Sequence, residues 1–487
     1  MILSGMINPM FRPIYTAPVA LLSLLTACAV VPKMAPVAEI RGPGTFAAER
    51  SLAATAGEFP SDQWWRGFGD PALAQLIAEG LANSPDVTAA KARVDAANAL
   101  LQQADAAASP KFGIDANAGG QRQSQNQGFP AGLIPGELRS QGRIAGNFSL
   151  DLDLWGRNRS ALREATSQAE AARVDAAQAR LLLTTTIAST YADLNRQFAQ
   201  RDAAVVAAQI AHDTKGLTHQ RFVEGLENVS AVDRARARLA QLESEVTAIE
   251  ESMGLTRHAL AALLGAGPDR GLAIGSPSLR SDLQLTLPAN LPLDLIGRRP
   301  DIVSARLRTE AAAARIGLAR ADFYPSVNLS AIAGLQAIGI GSLLQGSSFF
   351  TTFGPALRLP IFDGGATAGR YRKSRADFDL AVATYNSTLS TAFREVANAV
   401  TSKRSLQAKL VEARRALTAL RDARRVADLR FRNGLGDKLQ LLGADEAAAS
   451  AQRQVATLEA QTVAADIALI QALGGGFTET SIVQPGS

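Results

Sequence analysis

Three histidines, one cysteine and a scatter of carboxylates are the residues from which this 487-residue chain could build chemistry. His212 and His219 stand seven apart on a predicted helix, too far for the i, i+4 pair of a helical zinc site, and His258 lies on another. They read as solvated or packed helix residues. No glycine-rich loop follows a strand and opens a helix as a phosphate cradle requires; Gly339-Ile340-Gly341 falls between two predicted strands. The carboxylates lie among basic neighbours along helices, the pattern of solvated faces and i, i+4 pairs. No nucleophile stands beside a base, so neither catalysis nor a metal or other cofactor is expected. A lone cysteine excludes disulfides within the chain and thiolate metal sites. A net charge of +5 with only 5% aromatic residues offers little for bases to stack on, and no nucleic-acid partner is expected.

The place of that cysteine is informative. Met10-Phe11-Arg12-Pro13 gives a basic start, Ala17 to Leu25 an apolar run, and Leu25-Thr26-Ala27-Cys28 small residues at a cutting point. This is the layout of an export signal, and the run is too short to cross a bilayer comfortably. Leu-Thr-Ala-Cys resembles the lipobox of bacterial lipoproteins, which implies that Cys28 is lipidated and becomes the mature N-terminus; an ordinary signal peptide that happens to carry a cysteine is the alternative. Ala29 in the next position, by the same resemblance, favours the outer membrane.

The rest of the chain is written twice. Pro85-Asp86-Val87 returns as Pro300-Asp301-Ile302, 215 residues on, and at the same shift Pro110 meets Pro325. Leu150 to Trp155 aligns with Leu357 to Phe362 at a shift of 207, and Arg221-Phe222-Val223-Glu224-Gly225 with Arg430-Phe431-Arg432-Asn433-Gly434 at 209. Leu264-Gly265 and Leu473-Gly474 close the two copies at that last shift. The implied division is 1–27 signal peptide, 28–58 lipidated linker, 59–265 first repeat, 266–290 linker, 291–475 second repeat and 476–487 tail.

Each repeat has one plan. Pro-Asp opens an alanine-rich helix that stops before a proline. Two alternating stretches follow. Ile144, Gly146, Phe148, Leu150, Leu152 and Leu154 share one face; Ala145, Asn147, Ser149, Asp151 and Asp153 share the other. Period two with one apolar and one polar face predicts a strand between two environments. Phe112, Ile114, Ala116 and Ala118 form a shorter version, repeated by Val327, Leu329, Ala331 and Ala333. Gly119 to Gly142 and Gly339 to Ser348 read as loops. Then comes a stretch from Arg157 to about Phe222 without proline, ~99 Å if wholly helical. A returning helix carries a heptad seam through Leu239, Leu242, Val246, Ile249 and Met253, and the seam recurs at Val455, Leu458, Thr462 and Leu469. Each repeat therefore ends in a long helical hairpin, turning at Gly225 or Gly434.

Four strands of this kind cannot close a barrel, and open edges are not tolerated in lipid. Three chains would bring twelve, with room for a conduit lined by Asn147, Ser149, Asp151 and Asp153. A two-layer soluble sandwich is the alternative use of the same strands.

The order of elements, the duplication and several phrases resemble the TolC-like outer-membrane efflux proteins, in their lipoprotein branch serving resistance-nodulation-division pumps. The phrases are Ser149 to Arg157, Arg298 to Ile302, Ala321 to Pro325, Leu359 to Gly365 and Arg430 to Gly434, and the likeness runs from about Phe59 to Gly475. It implies a mainly α fold with a small β part, in which tandem strand pairs and coiled-coil hairpins build a trimeric β-barrel and an α-helical barrel. It also implies a homotrimer, a periplasmic adaptor, an inner-membrane transporter of that pump class and outer-membrane lipid as partners. The chain would then give small molecules passive exit across the outer membrane while extending into the periplasm. A conduit for type I protein secretion shares the fold, and a lipid-anchored coiled-coil adaptor is the alternative from another class. One departure is Leu441-Leu442-Gly443-Ala444, where the family usually has an Asp after the Leu-Leu pair.

Function would lie in lining and closing a pore. Leu435 and Asp437, just after the second turn, are the candidate gate: three carboxylates in a ring attract cations, and three leucines exclude water. Gly225 and Gly434 could equally supply only left-handed backbone, and Asp437 only a helix cap. Arg221, Phe222 and Gly225 with Arg430, Phe431 and Gly434 are the candidate adaptor-docking tips. The basic run Arg421, Arg424, Arg425, Arg430 and Arg432 reads as a solvated face, with adaptor docking as its second reading.

Overall fold

The structure, a computed structural model, describes residues 31–45, 57–122, 124, 137–280 and 296–479. Cys28, the segment 1–27 expected as a signal peptide, and most of the residues between the first two strands lie outside the described residues. In chain order come α1 (Pro71–Asn83), α2 (Pro85–Ala108), β1 (Lys111–Gln121), β2 (Arg139–Asp151), α3 (Arg157–Val223), α4 (Val229–Leu263) and α5 (Pro268–Leu272). The second repeat supplies α6 (Pro300–Ala321), β3 (Ser326–Ile338), β4 (Phe349–Arg358), α7 (Ala366–Arg432) and α8 (Lys438–Ala472). The chain is mostly helical with one small sheet.

The ends follow from local chemistry. Pro71 and Pro85 sit where a helix tolerates proline, in its first turn, and α2 stops two residues short of Pro110. The two hairpins match residue for residue. α3 and α7 are both 67 residues and α4 and α8 both 35, each pair starting 209 positions apart, from 157 to 366 and from 229 to 438. A helix of 67 residues is about 100 Å long.

The chain divides into two compact units. The first comprises Met1–Glu39, Ala96–Ala169 and Leu307–Ala383 and holds the sheet. Its strands run β1-β2-β3-β4, antiparallel throughout, with β1 and β4 as free edges. The second comprises Ile40–Asp95, Glu170–Arg306 and Thr384–Ser487 and holds both hairpin tips. Its main core gathers Trp64, Trp65, Phe68, Leu73 and Ile77 around Ile187, Tyr191, Leu194, Leu260 and Leu264. A second cluster joins Ile302 to Tyr385, Leu389, Phe393, Val396, Leu469 and Leu473. Further out, the hairpins close on thinner seams, Ala207 and Ala211 on Leu239 and Leu242, and Leu410 and Leu417 on Val455 and Leu458. Small residues let helices approach closely, while long helices with one apolar stripe depend on such packing more than on intrinsic propensity.

Two buried polar groups anchor the second unit. Asp70 caps α1 through the Ala72 N–H at 2.9 Å and also accepts from the Tyr191 hydroxyl at 2.9 Å and the Ser278 N–H at 2.8 Å. Burial drives its carboxyl up, but these donors outweigh it and leave the group below its ordinary value. In the second repeat Arg299 is buried between Asp301 at 2.6 Å and Glu395 at 2.8 Å, with its Nη1 donating to the Ala472 carbonyl at 3.0 Å.

Candidate functional site

The sheet register sorts the strand residues onto two faces, since cross-strand partners point the same way and neighbours along a strand point oppositely. One face carries Phe112, Ile114, Phe148, Ile144, Leu329, Leu335, Phe349 and Phe353. It is apolar and laid open: Phe112 is 74% exposed and Phe353 82%. The other carries Asp115, Asn117, Arg143, Asn147, Ser149, Ser330, Gln336 and Thr352. There Asn147 Nδ2 donates to Asp115 Oδ2. Asn147, Ser149 and Asp151 thus share the polar face, as the alternation predicts.

Asp153 departs from that expectation. β2 ends at Asp151, and Asp153 takes a left-handed backbone, φ 42°, that swings the chain out of the strand. Its carboxylate accepts from the backbone N–H groups of Asn158 at 2.9 Å and Arg159 at 3.0 Å, so it satisfies the start of α3 instead of lining a strand face. Burial raises this carboxyl, yet those bonds and the Arg159 guanidinium hold it below its ordinary value. Asp363 performs the same service for α7, bonding the Thr367 N–H at 2.7 Å and the Gly365 N–H at 3.0 Å. The Thr367 hydroxyl and N–H lower its carboxyl. Between them a bracket forms: Trp155 stacks on Tyr324 with centroids 4.7 Å apart and donates Nε1–H to the Pro325 carbonyl at 2.8 Å. Asp322 joins Arg157 at 3.0 Å to Arg370 at 3.4 Å.

At the hairpin tips the two repeats share one backbone solution. Gly225 has φ 76° and Gly434 φ 68°, and the next N–H turns back to close the helix, Leu226 to Arg221 O and Leu435 to Arg430 O, both at 2.8 Å. Asn228 then caps α4 through the Ala231 N–H, and Asp437 caps α8 through the Leu439 N–H. Asp437 does more. Its Oδ2 lies 3.0 Å from Nη1 of Arg221, joining the second tip to the first, with Glu227 flanking Arg221 at 3.7 Å. Two further pairs tie the hairpins along their length, Arg238 to Glu446 at 2.7 Å and Arg453 to Glu245 at 2.8 Å. Leu435 is 70% exposed. Phe222 and Phe431 are partly exposed, the latter under the Lys438 ammonium at 5.2 Å from its centroid.

Most of the basic run near the second tip is already engaged by carboxylates. Arg424 pairs with Asp445, Arg425 with Asp422 and Arg432 with Asp428, and Arg421 bonds Gln452. Arg430 bonds the Leu435 carbonyl at 3.3 Å. His219 stacks near Phe222, and His212 lies beside Asp213. Among the described residues no three His, Cys, Asp or Glu side chains gather as a metal site. Besides the Arg221–Asp437 pair, sequence reading missed two pairings away from the tips. Lys403 Nζ meets buried Asp466 at 2.7 Å, and the Arg143 guanidinium lies over the Phe350 ring at 5.2 Å from its centroid. Only the second left a trace, a basic residue in register with the polar alternation.

Among the described residues no helix is long and apolar enough to cross a membrane. The chain is 29% identical to the multidrug resistance outer membrane protein MdtP of Escherichia coli strain K12, over 95% of this chain and 96% of that one. It is 30% identical to the antibiotic efflux pump outer membrane protein ArpC of Pseudomonas putida, over 94% of both. The fold matches the outer membrane protein VceC of Vibrio cholerae with a TM-score of 0.79 at 37% identity, covering 86% of this chain and all of that one. The outer-membrane channel OprN matches with a TM-score of 0.79 at 28% identity, covering 92% and 99%. The sequence profile of the outer membrane efflux protein family matches residues 76–266 and 291–475, most of the chain, and the chain belongs to that family.

Proposed function

We propose that this chain is one protomer of a homotrimeric outer-membrane channel that completes a tripartite efflux pump. One observation carries the reading: a four-stranded sheet with an open apolar face, a polar opposite face and two unpaired edges. Unpaired backbone is not tolerated in hydrocarbon, so the edges call for partners. Joining β4 of one copy to β1 of the next closes the sheet, and three times four strands enclose a water-filled lumen. The polar face then lines that lumen and the apolar face meets lipid. Three pairs of hairpins give the long helices the neighbours that one copy lacks. The chain supplies no chemistry of its own. A resistance-nodulation-division transporter and a periplasmic adaptor deliver small molecules, the kind of cargo that the names of MdtP and ArpC point to, and these cross the outer membrane passively.

Three further roles belong to this reading. Cys28 carries lipid and fixes the N-terminus to the outer membrane. The tips around Arg221, Phe222, Gly225, Arg430, Phe431 and Gly434 receive the adaptor. Leu435 and Asp437 hold the periplasmic end closed, with Arg221 latching Asp437 at rest. Single cysteines at 147, 149, 150 and 152 in a Cys28→Ser background test the core of it. Only 147 and 149 should react with a water-soluble thiol reagent, and the purified protein should run as a trimer and conduct in planar bilayers. Equal labelling of both faces, or a monomer without conductance, overturns the reading.

A further inference from the structure

Arg143 sits mid-strand on β2, between Asn117 of β1 and Gln336 of β3. Its side chain reaches across β3 to Phe350 on the edge strand β4, the guanidinium carbon lying 5.2 Å from the ring centroid. The register explains how. Phe350 is opposite Gly334, and Gly334 is opposite Ala145, so the β3 position in line with Phe350 carries no side chain. A Cβ at Gly334 would come within 2.1 Å of the Ile144 carbonyl oxygen, so the strands approach here more closely than any other residue allows.

The charge of Arg143 is not neutralised. Among the described residues no carboxylate pairs with it, and its Nε is shut from solvent without a hydrogen-bond acceptor. Two acids share its face, Asp115, which accepts from the Asn147 amide, and Asp151, at the far end of β2, which accepts from the Asp153 N–H; neither forms an ion pair with Arg143. An unsatisfied guanidinium donor away from water is costly, and an aromatic face compensates only part of it. What remains is a planar cation with free donors beside an apolar ring, a combination that matches a carboxylate, sulfonate or phosphate carried on an apolar body.

We propose that Arg143 and Phe350 form an anion-binding site in the lumen, taking organic anions with an aromatic or other apolar body and biasing the channel toward anions. The proposal rests on the trimeric reading above, which places three such pairs at one level of the barrel. Three cations in a ring, none paired with a carboxylate, attract anions and repel cations, as charged rings do in selective pores.

Reversal potentials in planar bilayers under a potassium chloride gradient test it, with benzenesulfonate and benzyltrimethylammonium as blockers. The wild type should favour chloride locally and be blocked more strongly by benzenesulfonate. Arg143→Gln should lower the chloride-to-potassium permeability ratio severalfold, Arg143→Lys should keep most of the ratio, and Phe350→Leu should weaken benzenesulfonate block alone. Trimers that conduct with the same ratio in wild type and Arg143→Gln overturn the proposal. Should Arg143→Gln not assemble, equal block of the wild type by the two aromatic ions overturns it as well. A wild-type protein that neither trimerises nor conducts refutes instead the channel reading on which it rests.

Discussion

The hairpins of the two repeats keep the same helix lengths and turns and differ in what they bury. Lys403 of α7 occupies the place of Leu194 in α3, and Asp466 of α8 the place of Arg257 in α4, both 209 residues on. Leu194 is fully buried in the main apolar cluster, and Arg257 keeps its guanidinium over Phe198 and on the Ile274 carbonyl at 3.2 Å. In the second repeat the same two places form an ion pair at 2.7 Å, with side chains only 9% and 1% exposed. Backbone signals survive duplication because any residue with the right φ or cap serves. Core partners can diverge, provided that both change together.

The largest effect is expected where one of the two residues changes without the other. Lys403→Leu, which imports the first repeat's residue, leaves Asp466 buried without its cation and should cost about 3–5 kcal/mol. Lys403→Leu with Asp466→Leu should recover most of that, because an apolar pair of similar volume replaces a buried ion pair at little cost. Thermal unfolding followed by circular dichroism distinguishes the two; equal losses would show that packing, not charge, matters here. The pH dependence separates them further. Burial lifts the Asp466 carboxyl by more than Lys403 lowers it. The folded chain then holds this proton more tightly than the unfolded chain. Its contribution is most favourable below the ordinary value of about 3.9 and is lost as pH rises through the folded value. Asp466→Asn should flatten that slope.

The helix starts at the sheet offer the next effect. Asp153→Ala removes an acceptor for two N–H groups of α3 and should cost about 1 kcal/mol. The sign is opposite to that at Asp466: the folded carboxyl is lowered, so its contribution is present above the ordinary value and fades as pH falls through the folded one. Asp363→Ala should show the same direction. Melting curves of both variants between neutral and acid pH test whether the repeats use one device; a pH slope unchanged in either would separate them.

Much of this was legible in the sequence, for identifiable reasons. The shifts between repeats, the long helices and the glycine turns are local signals, and they placed both hairpins within a residue or two of their observed ends. The faces of β2 followed from period two between Ile144 and Asp151, but β1 runs on to Gln121 and β2 begins at Arg139, inside the Gly-, Ser- and Gln-rich stretch that reads as loop. Asp153 misled because Leu152-Asp153-Leu154 continues the alternation while φ at Asp153 ends the strand, and the acceptor role toward Asn158 is visible only once the helix start is known. The Lys403–Asp466 and Arg221–Asp437 pairs join residues 63 and 216 apart, and nothing in spacing along a helix points across such gaps.

The smallest energetic effect lies at the tips, and there the comparison separates a cap from a latch. Asn228 and Asp437 are equivalent positions, and each caps the helix that follows it. Only Asp437 carries charge, and only Asp437 reaches the other hairpin through Arg221 at 3.0 Å. Asn caps about as well as Asp, so Asp437→Asn should leave α8 intact while removing the ion pair. The pair is well exposed, with side chains 29% and 42% accessible, so its loss should cost less than ~1 kcal/mol of stability. In the gate proposed above, a contact of that strength would still bias an open–closed equilibrium, since 1.4 kcal/mol is a tenfold change and half of that about threefold. Asp437→Asn and Arg221→Gln should therefore raise single-channel conductance or open probability in planar bilayers to the same extent. The double variant should add nothing, because both remove one contact. Asp437→Ala should match them in conductance but melt about 1 kcal/mol lower, having lost the cap too. Conductance that responds to Asp437→Ala and not to Asp437→Asn would make this residue a cap alone and leave closure to Leu435.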